Sequence, residues 1–267
     1  MMKSTLGSTL GRLAALLLFG FLALQLYFLA RVALMIVVDP QSTSFQRSEI
    51  WRLAVEKRAV NWSQQWRPYA QIGAPLKRAV IASEDAGFTD HTGVDWGALE
   101  AAWERNQRAE ARADKHNDAA QRRAAGSPPK AGAGVPRPAP APVTAKVVGG
   151  STITQQLAKN LFLSGERNFL RKGQEFVIVL MLEGLLSKQR ILEIYLNNVE
   201  WGEGLFGAQA AARHYFHVDA ERLGSLQAAR LAVMLPAPKR FEKNPASPYV
   251  LDRAATVAAR MGAVELP

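Results

Sequence analysis

The sequence of 267 residues contains no cysteine and only four histidines. The absence of cysteine excludes disulfide bonds, thiolate catalysis and cysteine-ligated zinc sites. Among the histidines only His214 and His217 lie close together in the sequence, and this pair alone does not indicate a metal centre. Strand-forming patterns are also scarce, so we predict a mainly α-helical fold.

Acidic residues are in the minority, because 23 Asp and Glu stand against 33 Lys and Arg and leave a net charge of +10. This balance favours anionic partners, but it does not distinguish nucleic acid from phospholipid headgroups or phosphorylated substrates. With 48% hydrophobic residues the chain can form a sizeable core, which excludes a disordered protein.

The longest apolar stretch runs from Leu13 to Val38 and is interrupted by one glutamine and one arginine. It exceeds the roughly 20 residues that a helix needs to cross a bilayer, and it is longer than the apolar core of a cleaved signal peptide. We therefore predict a transmembrane anchor at 13–38. The preceding tail at 1–12 carries two basic residues and no acid, so the positive-inside rule predicts a cytoplasmic N-terminus.

The stretch Arg78 to Gly93, RAVIASEDAGFTDHTG, places adjacent Glu84 and Asp85 at the end of an apolar run, followed by Phe88 and His91. An acid beside apolar side chains can have a raised pKa while its neighbour stays ionised, which suits acid/base catalysis. Two acids at a helix end can equally be caps or solvated charges. The stretch by itself leaves both interpretations open.

An alanine-rich helix is predicted from Asp95 to about Ala125, packed near its start and solvated later. It is followed by a Pro/Ala-rich insertion at 126–147 with six prolines between Ser127 and Val143. We predict that this insertion is mobile. We hypothesise that it lies over the active site or against anionic lipid.

The segment from Gly149 to Leu163 begins with two glycines and a capping box that opens a helix. One face of that helix carries hydroxyl, amide and ammonium groups instead of the acids and bases of an ordinary solvated face. These residues are Thr152, Gln156, Lys159 and Asn160. Such groups, next to a helix N-terminus, suit a sugar phosphate.

The next helix begins with Arg171, Lys172 and Glu175 and continues into the apolar run Phe176 to Leu182, which we expect to be buried. The charged residues form either a salt bridge at the helix start or a phosphate site with a second carboxylate.

Taken in order, these segments resemble the peptidoglycan glycosyltransferases of family 51. The resemblance rests on EDAGFTDHTG from Glu84, GGSTITQQLAKN from Gly149, RKGQE from Arg171 with Leu182 and Glu183, KQRILEIYLN from Lys188 and LPAP from Leu235. It implies a lysozyme-like helical glycosyltransferase domain at 75–250, after a membrane-proximal segment at 39–74 and before a C-terminal tail at 251–267. No transpeptidase domain is expected.

The resemblance further implies polymerisation of lipid II into β-1,4 glycan with inversion and release of undecaprenyl diphosphate. Glu84 is then the general base, and Glu175 supports the departing diphosphate, directly or through a divalent cation such as Mg or Mn. The implied substrate-binding residues are Asp85, Phe88, His91, Thr152, Gln156, Lys159, Asn160, Arg171 and Lys172. The implied location is the outer, periplasmic face of the bacterial cytoplasmic membrane.

The implied partners are lipid II, the growing glycan strand, membrane lipids and proteins of cell-wall synthesis or division, but not nucleic acid. Two features depart from the family pattern: Val179 replaces a small residue, and the 126–147 insertion lengthens the link between the first two motifs. Two alternatives remain, a lysozyme-like lytic enzyme and an inactive membrane-anchored scaffold. A hydrolase would share the glutamate but would not need cations around a diphosphate.

Overall fold

The structure is a computed structural model that describes residues 2–125, 143, 150–163 and 168–267. Within these residues the predicted mainly α-helical fold is confirmed. The helices are α1 (Met2–Leu34), α2 (Ser44–Arg52), α3 (Ala74–Glu84), α4 (Trp96–Ala125), α5 (Ile153–Phe162), α6 (Phe169–Leu185), α7 (Lys188–Asn198), α8 (Ala208–Phe216), α9 (Ser225–Met234), α10 (Pro238–Phe241) and α11 (Pro248–Arg260). Strands β1 (Ser63–Gln64), β2 (Glu200–Gly202) and β3 (Leu205–Phe206) form a small sheet. Its order is β1-β3-β2, with β3 parallel to β1 and antiparallel to β2.

The chain forms two compact units, one of residues 1–94 with 152–267 and the other of residues 95–151. In the first unit α3 packs against α9 and α11, while α5 packs against α6 and α7. Leu76 and Val80 of α3 are fully buried because they recur at i, i+4 on the face toward these helices. This packing holds the C-terminal end of α3 against the start of α5.

The first unit reaches beyond both limits of the predicted 75–250 domain. Residues 251–267, expected to be a tail, form most of α11 and a turn that buries Val257 and Met261 in the core. The membrane-proximal segment 39–74 contributes α2, which packs against α5. Both segments lie outside the recognisable motifs, which explains why sequence patterns alone left them out of the domain.

Helix α1 has a free part and a packed part. An 18-residue stretch within its segment Thr9–Leu34 has a mean hydropathy of 2.3, and α1 is the one helix in the described residues that is long and apolar enough to cross a membrane. The large apolar side chains from Leu10 to Leu24 are exposed, whereas Phe28 and Val32 are buried. The second half of α1 therefore packs on the rest of the first unit, chiefly on α6.

A reciprocal amide pair joins the two helices at the start of the packed part. Gln25 Nε2 donates to Gln174 Oε1 at 2.9 Å, and Gln174 Nε2 donates to Gln25 Oε1 at 3.0 Å. The pair satisfies two polar side chains in an otherwise apolar contact, where an unpaired amide would be unfavourable. It lies one residue before Glu175 on α6.

We expect Gln25→Leu and Gln174→Leu each to lower the unfolding temperature, because each leaves one amide without its partner. Interhelical hydrogen bonds in membranes contribute about 0.6 kcal/mol on average, and the double Leu variant should recover part of that loss through apolar packing. Thermal unfolding in detergent micelles across this double-mutant cycle measures the coupling. Leu17→Ala, on the exposed part of α1, is the control. Strictly additive single effects would show that the pair does not interact.

The apolar run Phe176–Leu182 is only partly buried, which corrects the prediction for the run as a whole. The residues that face the core are Ile178, Val179 and Leu182. Phe176 and Leu180 are 42% and 51% exposed, because a helix on the edge of a core buries only one face. With the exposed Phe169 and Leu170 they form an apolar surface, which we call the outer strip of α6.

The second unit is built on α4. The expected packing near the start of α4 is incomplete, since Leu99 and Trp103 remain 44% and 66% exposed and line a cavity of about 540 Å³. Farther along, Asn117 donates to the carbonyl of Val143 at 3.0 Å and accepts from its N–H at 2.9 Å. Apart from Val143, the predicted insertion at 126–147 lies outside the described residues.

Candidate active site

Helix α3 delivers two neighbouring carboxylates to one end of the first unit. It has Pro75 in its first turn and ends at Glu84. Asp85 follows with φ −162° and ψ 73°, outside helical geometry. This break gives the two adjacent acids separate sets of partners.

Asp85 is buried and links α3 to the start of α5. Its Oδ1 lies 2.8 Å from His91 Nε2, and its Oδ2 accepts from the backbone N–H of Ile153 at 2.9 Å. Because His91 Nδ1 accepts from the Gly93 N–H at 3.1 Å, Nε2 carries the proton and donates to Asp85. Burial raises the pKa of Asp85, while His91, the Ile153 N–H and Lys188 oppose the increase.

Phe88, assigned to the substrate with Asp85 and His91, is fully buried. The ammonium of Lys188 lies 4.6 Å from the centre of its ring. Lys188 also donates to Glu183 Oε1 at 2.9 Å, and the same oxygen accepts from the Thr154 hydroxyl at 2.6 Å. Through these contacts the EDAGFTDHTG motif is packed against α5, α6 and α7, which fixes the backbone that carries Glu84.

Glu84 is partly exposed, and its Oε2 accepts a hydrogen bond from Gln156 Nε2 at 2.9 Å. Gln156 is oriented in turn by the buried Tyr195, whose hydroxyl donates to Gln156 Oε1 at 2.9 Å. Burial raises the pKa of Glu84 and the charge of Asp85 adds to this, while hydrogen bonds from Gln156 and Ser83 lower it. A carboxylate with a raised pKa is a stronger general base at neutral pH.

The capping box predicted at the start of α5 is confirmed. The Thr152 hydroxyl accepts from the Gln155 N–H, and Gln155 Oε1 accepts from the Thr152 N–H, both at 3.2 Å. The same hydroxyl donates to the Gly93 carbonyl at 2.6 Å, and Thr152 is buried. Thr152, assigned to the substrate, thus ties α5 to the loop after α3 through internal hydrogen bonds.

Gly93 occupies a position where a side chain has neither conformational freedom nor space. Its φ is +87°, and a Cβ there would lie 2.5 Å from Val179 Cγ1 and 2.9 Å from Glu183 Cγ. Val179 packs into the space that Gly93 leaves open.

We expect Gly93→Ala to destabilise the protein by about 2 kcal/mol or more, since it adds left-handed strain and overpacks a buried contact. Thermal unfolding measures the change. Combining it with Val179→Ala should relieve the steric part and recover some stability. Gly184→Ala, a helical glycine with open space around it, is the matched control and should stabilise by about 0.5–1 kcal/mol. Equal stability of Gly93→Ala and wild type would contradict this interpretation.

The start of α6 concentrates positive charge. Asn168 caps the helix by accepting from the Arg171 N–H at 2.7 Å. Arg171 Nη1 lies 3.0 Å from Glu175 Oε2, and Lys172 Nζ lies 2.5 Å from Glu175 Oε1. Glu175 is buried, and Lys172 is 55% exposed at its side chain. The carboxylate therefore holds two cations near the helix N-terminus, where the helix dipole also attracts anions.

These elements surround a cavity of about 370 Å³, which we call the donor cavity. The predicted residues that line it are Gln156, Lys159, Asn160 and Arg171. The other lining residues are Phe45, Leu163, Glu200, Leu235, Pro236 and Pro238. The Arg171 Nε is buried and has no hydrogen-bond partner within the part of the chain that the structure describes. A cavity lined by amides and cations is suited to a phosphorylated sugar. Glu84 is hydrogen-bonded to Gln156, one of the lining residues.

Two residues of this region were not identified from the sequence. Tyr195 lies in the KQRILEIYLN motif and was assigned no role, yet its hydroxyl orients Gln156. Glu200 follows α7 in a short strand without periodicity, so no pattern marked it as a cavity residue. Both act through partners distant in the chain.

Comparison with known proteins identifies the family. The transglycosylase family profile matches residues 53–114 and 140–262. The chain belongs to the transglycosylase family. The biosynthetic peptidoglycan transglycosylase of Burkholderia thailandensis is 48% identical over 248 residues, which cover 93% of this chain and 84% of that protein. The protein of the same name from Paraburkholderia xenovorans is 45% identical over 256 residues, or 96% and 92% of the two chains.

The family assignment includes segments that the sequence motifs did not cover. The matched residues begin at 53, directly after α2, and extend to 262, just past the end of α11, in agreement with the packing of α11 into the first unit. Among the described residues no group of three or more His, Asp or Glu is placed to hold a metal ion.

Proposed function

We propose that this member of the transglycosylase family polymerises lipid II into β-1,4 glycan, with Glu84 as the general base. The observation that supports this most directly is the partly exposed Glu84 carboxylate, bonded to Gln156 at the edge of a cation-lined cavity. As a transglycosylase, the protein is a peptidoglycan glycosyltransferase.

In the proposed reaction Glu84 takes the proton from the 4-hydroxyl of the acceptor sugar. That oxygen forms a bond to the anomeric carbon of the donor while the bond from this carbon to the diphosphate breaks. The bonding electrons leave with the diphosphate. A single displacement converts an α-linked lipid into a β-linked glycan and needs no covalent enzyme intermediate. The raised pKa of Glu84 suits this proton transfer.

The departing diphosphate gains charge in the transition state, and the cations of the donor cavity are placed to stabilise it. Lys159 and Arg171 line the cavity, and Arg171 retains an unpartnered Nε. We assign Glu175 the role of fixing Arg171 and Lys172 in place, since both of its oxygens are paired with these side chains.

A divalent cation such as Mg or Mn remains compatible with this arrangement. Glu175 Oε1 is the fitting ligand, because its partner Lys172 is half exposed and can move aside. Mg²⁺ is commonly bound by one or two carboxylates together with substrate phosphates. When bound, such an ion would neutralise part of the diphosphate charge.

We further propose that α1 anchors the protein in the cytoplasmic membrane with its N-terminus inside and the rest of the first unit on the periplasmic face. The exposed apolar side chains of α1 and the outer strip of α6 support this placement. The strip would bring the donor cavity to the membrane surface, where the lipid tail of the substrate resides. Membrane lipid, lipid II and the growing strand are then the immediate partners.

The test is to incubate purified full-length protein with lipid II in detergent and to separate the products by size. We expect polymer from the wild type. Shortening of preformed glycan without synthesis would support a lytic enzyme, and turnover of neither substrate would support an inactive scaffold. A Glu84→Gln variant as active as the wild type would overturn the assignment of the base.

A further inference from the structure

Glu200 lines the donor cavity with a buried carboxyl group that is incompletely satisfied. It is the first residue of β2 and is only 7% exposed. Within the described residues its buried Oε1 has no hydrogen bond of ordinary geometry. Its contact with Lys239 Nζ is a salt bridge at 3.4 Å, longer than an ordinary charged hydrogen bond.

The neighbouring charges explain why Lys239 does not satisfy Glu200. Lys239 makes its short contact, 2.6 Å, with Glu49 Oε1, and Glu49 also accepts from Arg52 Nε. Burial raises the pKa of Glu200 to about 7, with a smaller increase from Glu49 and Glu242 and a decrease from Lys239. Leaving a buried carboxyl oxygen without a partner lowers stability, so Glu200 is not explained by a contribution to folding.

Arg171, which lines the same cavity, has a second buried polar atom, its Nε, without a hydrogen bond to any described residue. Arg171 Nε is a donor and Glu200 Oε1 is an acceptor. A ligand that satisfies both must present an acceptor oxygen to one and an O–H or N–H to the other. A phosphate with a sugar attached has both groups. The cavity, at about 370 Å³, lies within the ordinary size range of ligand sites.

We infer that Glu200 is a substrate-positioning residue, whose carboxyl accepts a hydrogen bond from a hydroxyl or amide N–H of the donor sugar next to the diphosphate. This inference rests on the proposed function and adds to it the group that orients the donor sugar. Arg171 holds the phosphate end, and Glu200 fixes the rotation of the sugar about that end. The anomeric carbon is thereby kept facing the acceptor hydroxyl.

The test compares Glu200→Leu with Glu200→Gln, which keeps an acceptor oxygen but removes the charge. The varied substrate is the lipid-linked tetrasaccharide donor, with lipid II held at saturation. We expect Glu200→Leu to raise KM for the donor about tenfold, with a smaller change in kcat, while Glu200→Gln retains much of the wild-type KM. Thermal unfolding of Glu200→Leu should occur at or above the wild-type temperature. Glu203→Gln, on the same hairpin but outside the cavity, should match the wild type.

A wild-type KM in Glu200→Leu would overturn the inference. So would a fall in unfolding temperature together with an equal fall in kcat, which indicates a structural role. Equal loss in the Gln and Leu variants would show that the charge is required and that the partner is a cation instead of a sugar hydroxyl.

Binding measured without turnover separates this inference from the proposed function. In a Glu84→Gln background, the dissociation constant for the same tetrasaccharide donor should rise about tenfold on adding Glu200→Leu. A rise supports the inference whether or not the wild type makes polymer. A wild type that makes no polymer overturns the proposed function alone. An unchanged dissociation constant overturns the inference alone.

The pH dependence provides a further readout. The groups around Glu200 are Glu49, Lys239 and Glu242, with Lys159 and Arg171 also lining the cavity. A carboxylate accepts hydrogen bonds more strongly than a neutral carboxylic acid, so the donor KM of the wild type should rise as pH falls through about 7. Glu200→Gln has no such ionisation and should lack this component. Identical KM profiles for the two proteins would contradict the proposed contact.

Discussion

Replacing Glu84 by Gln is expected to lower kcat/KM for glycan synthesis by about 10²–10⁴-fold, the usual contribution of a general base. The amide keeps the size of the side chain, so the unfolding temperature should change little. Product formation from lipid II over time measures the rate. Glu104→Gln, an exposed acid of α4 paired with Arg108, is the control and should leave the rate unchanged.

The pH profile gives the same residue a second test. Burial raises the pKa of Glu84, and a base acts only when it is ionised. Activity should therefore be full above this raised pKa and should fall as pH decreases through it, at a pH above that of an ordinary glutamate. The residual kcat of Glu84→Gln, measured at saturating donor so that the pH dependence of KM does not enter, should lack this acidic limb. A wild-type profile with its acidic limb at the ordinary pKa of glutamate would indicate that Glu84 is not buried in solution.

Replacing Arg171 by Leu is expected to lower kcat/KM by about 10²–10³-fold, because a preorganised donor for the transition-state charge is lost. The same change removes one of the two salt bridges of the buried Glu175 and leaves the one to Lys172. Breaking a buried ion pair can lower the free energy of unfolding by about 3–5 kcal/mol. We expect a loss toward the lower end of this range, because the half-exposed Lys172 still pairs with Glu175. Steady-state kinetics and thermal unfolding measure the two effects.

Arg171→Lys separates charge from geometry. It retains a cation but not the Nε donor of the guanidinium, so its rate should lie between those of wild type and Arg171→Leu. Arg108→Leu is the matched control, since Arg108 and Glu104 form an exposed pair at the same i, i+4 spacing, worth about 0.3–0.5 kcal/mol. Full activity in Arg171→Leu would remove this residue from the proposed diphosphate site.

Local patterns predicted the local parts of the site well. The end of α3 at Glu84 and the capping box at Thr152 depend on short sequence signals, and both are present in the structure. Burial was harder to predict, because Phe176 and Leu180 are as apolar as their buried neighbours and differ only in the direction they face. Glu200 enters the cavity through the packing of β2 near α10. That proximity depends on the tertiary fold, which no spacing in the sequence encodes.

The position of the Gln25–Gln174 pair along α1 has a consequence for how the polymer grows. Gln25 lies nine residues before Leu34, the last residue of α1, which corresponds to about 13 Å along a helix axis. With α1 as the proposed anchor, this pair would hold the cationic end of α6 on the cytoplasmic side of the outer end of the membrane helix. A substrate would then enter laterally from the lipid leaflet, with its tail still dissolved in the bilayer. Encounter between enzyme and substrate would become a two-dimensional search, with a rate that depends on the surface density of substrate in that leaflet.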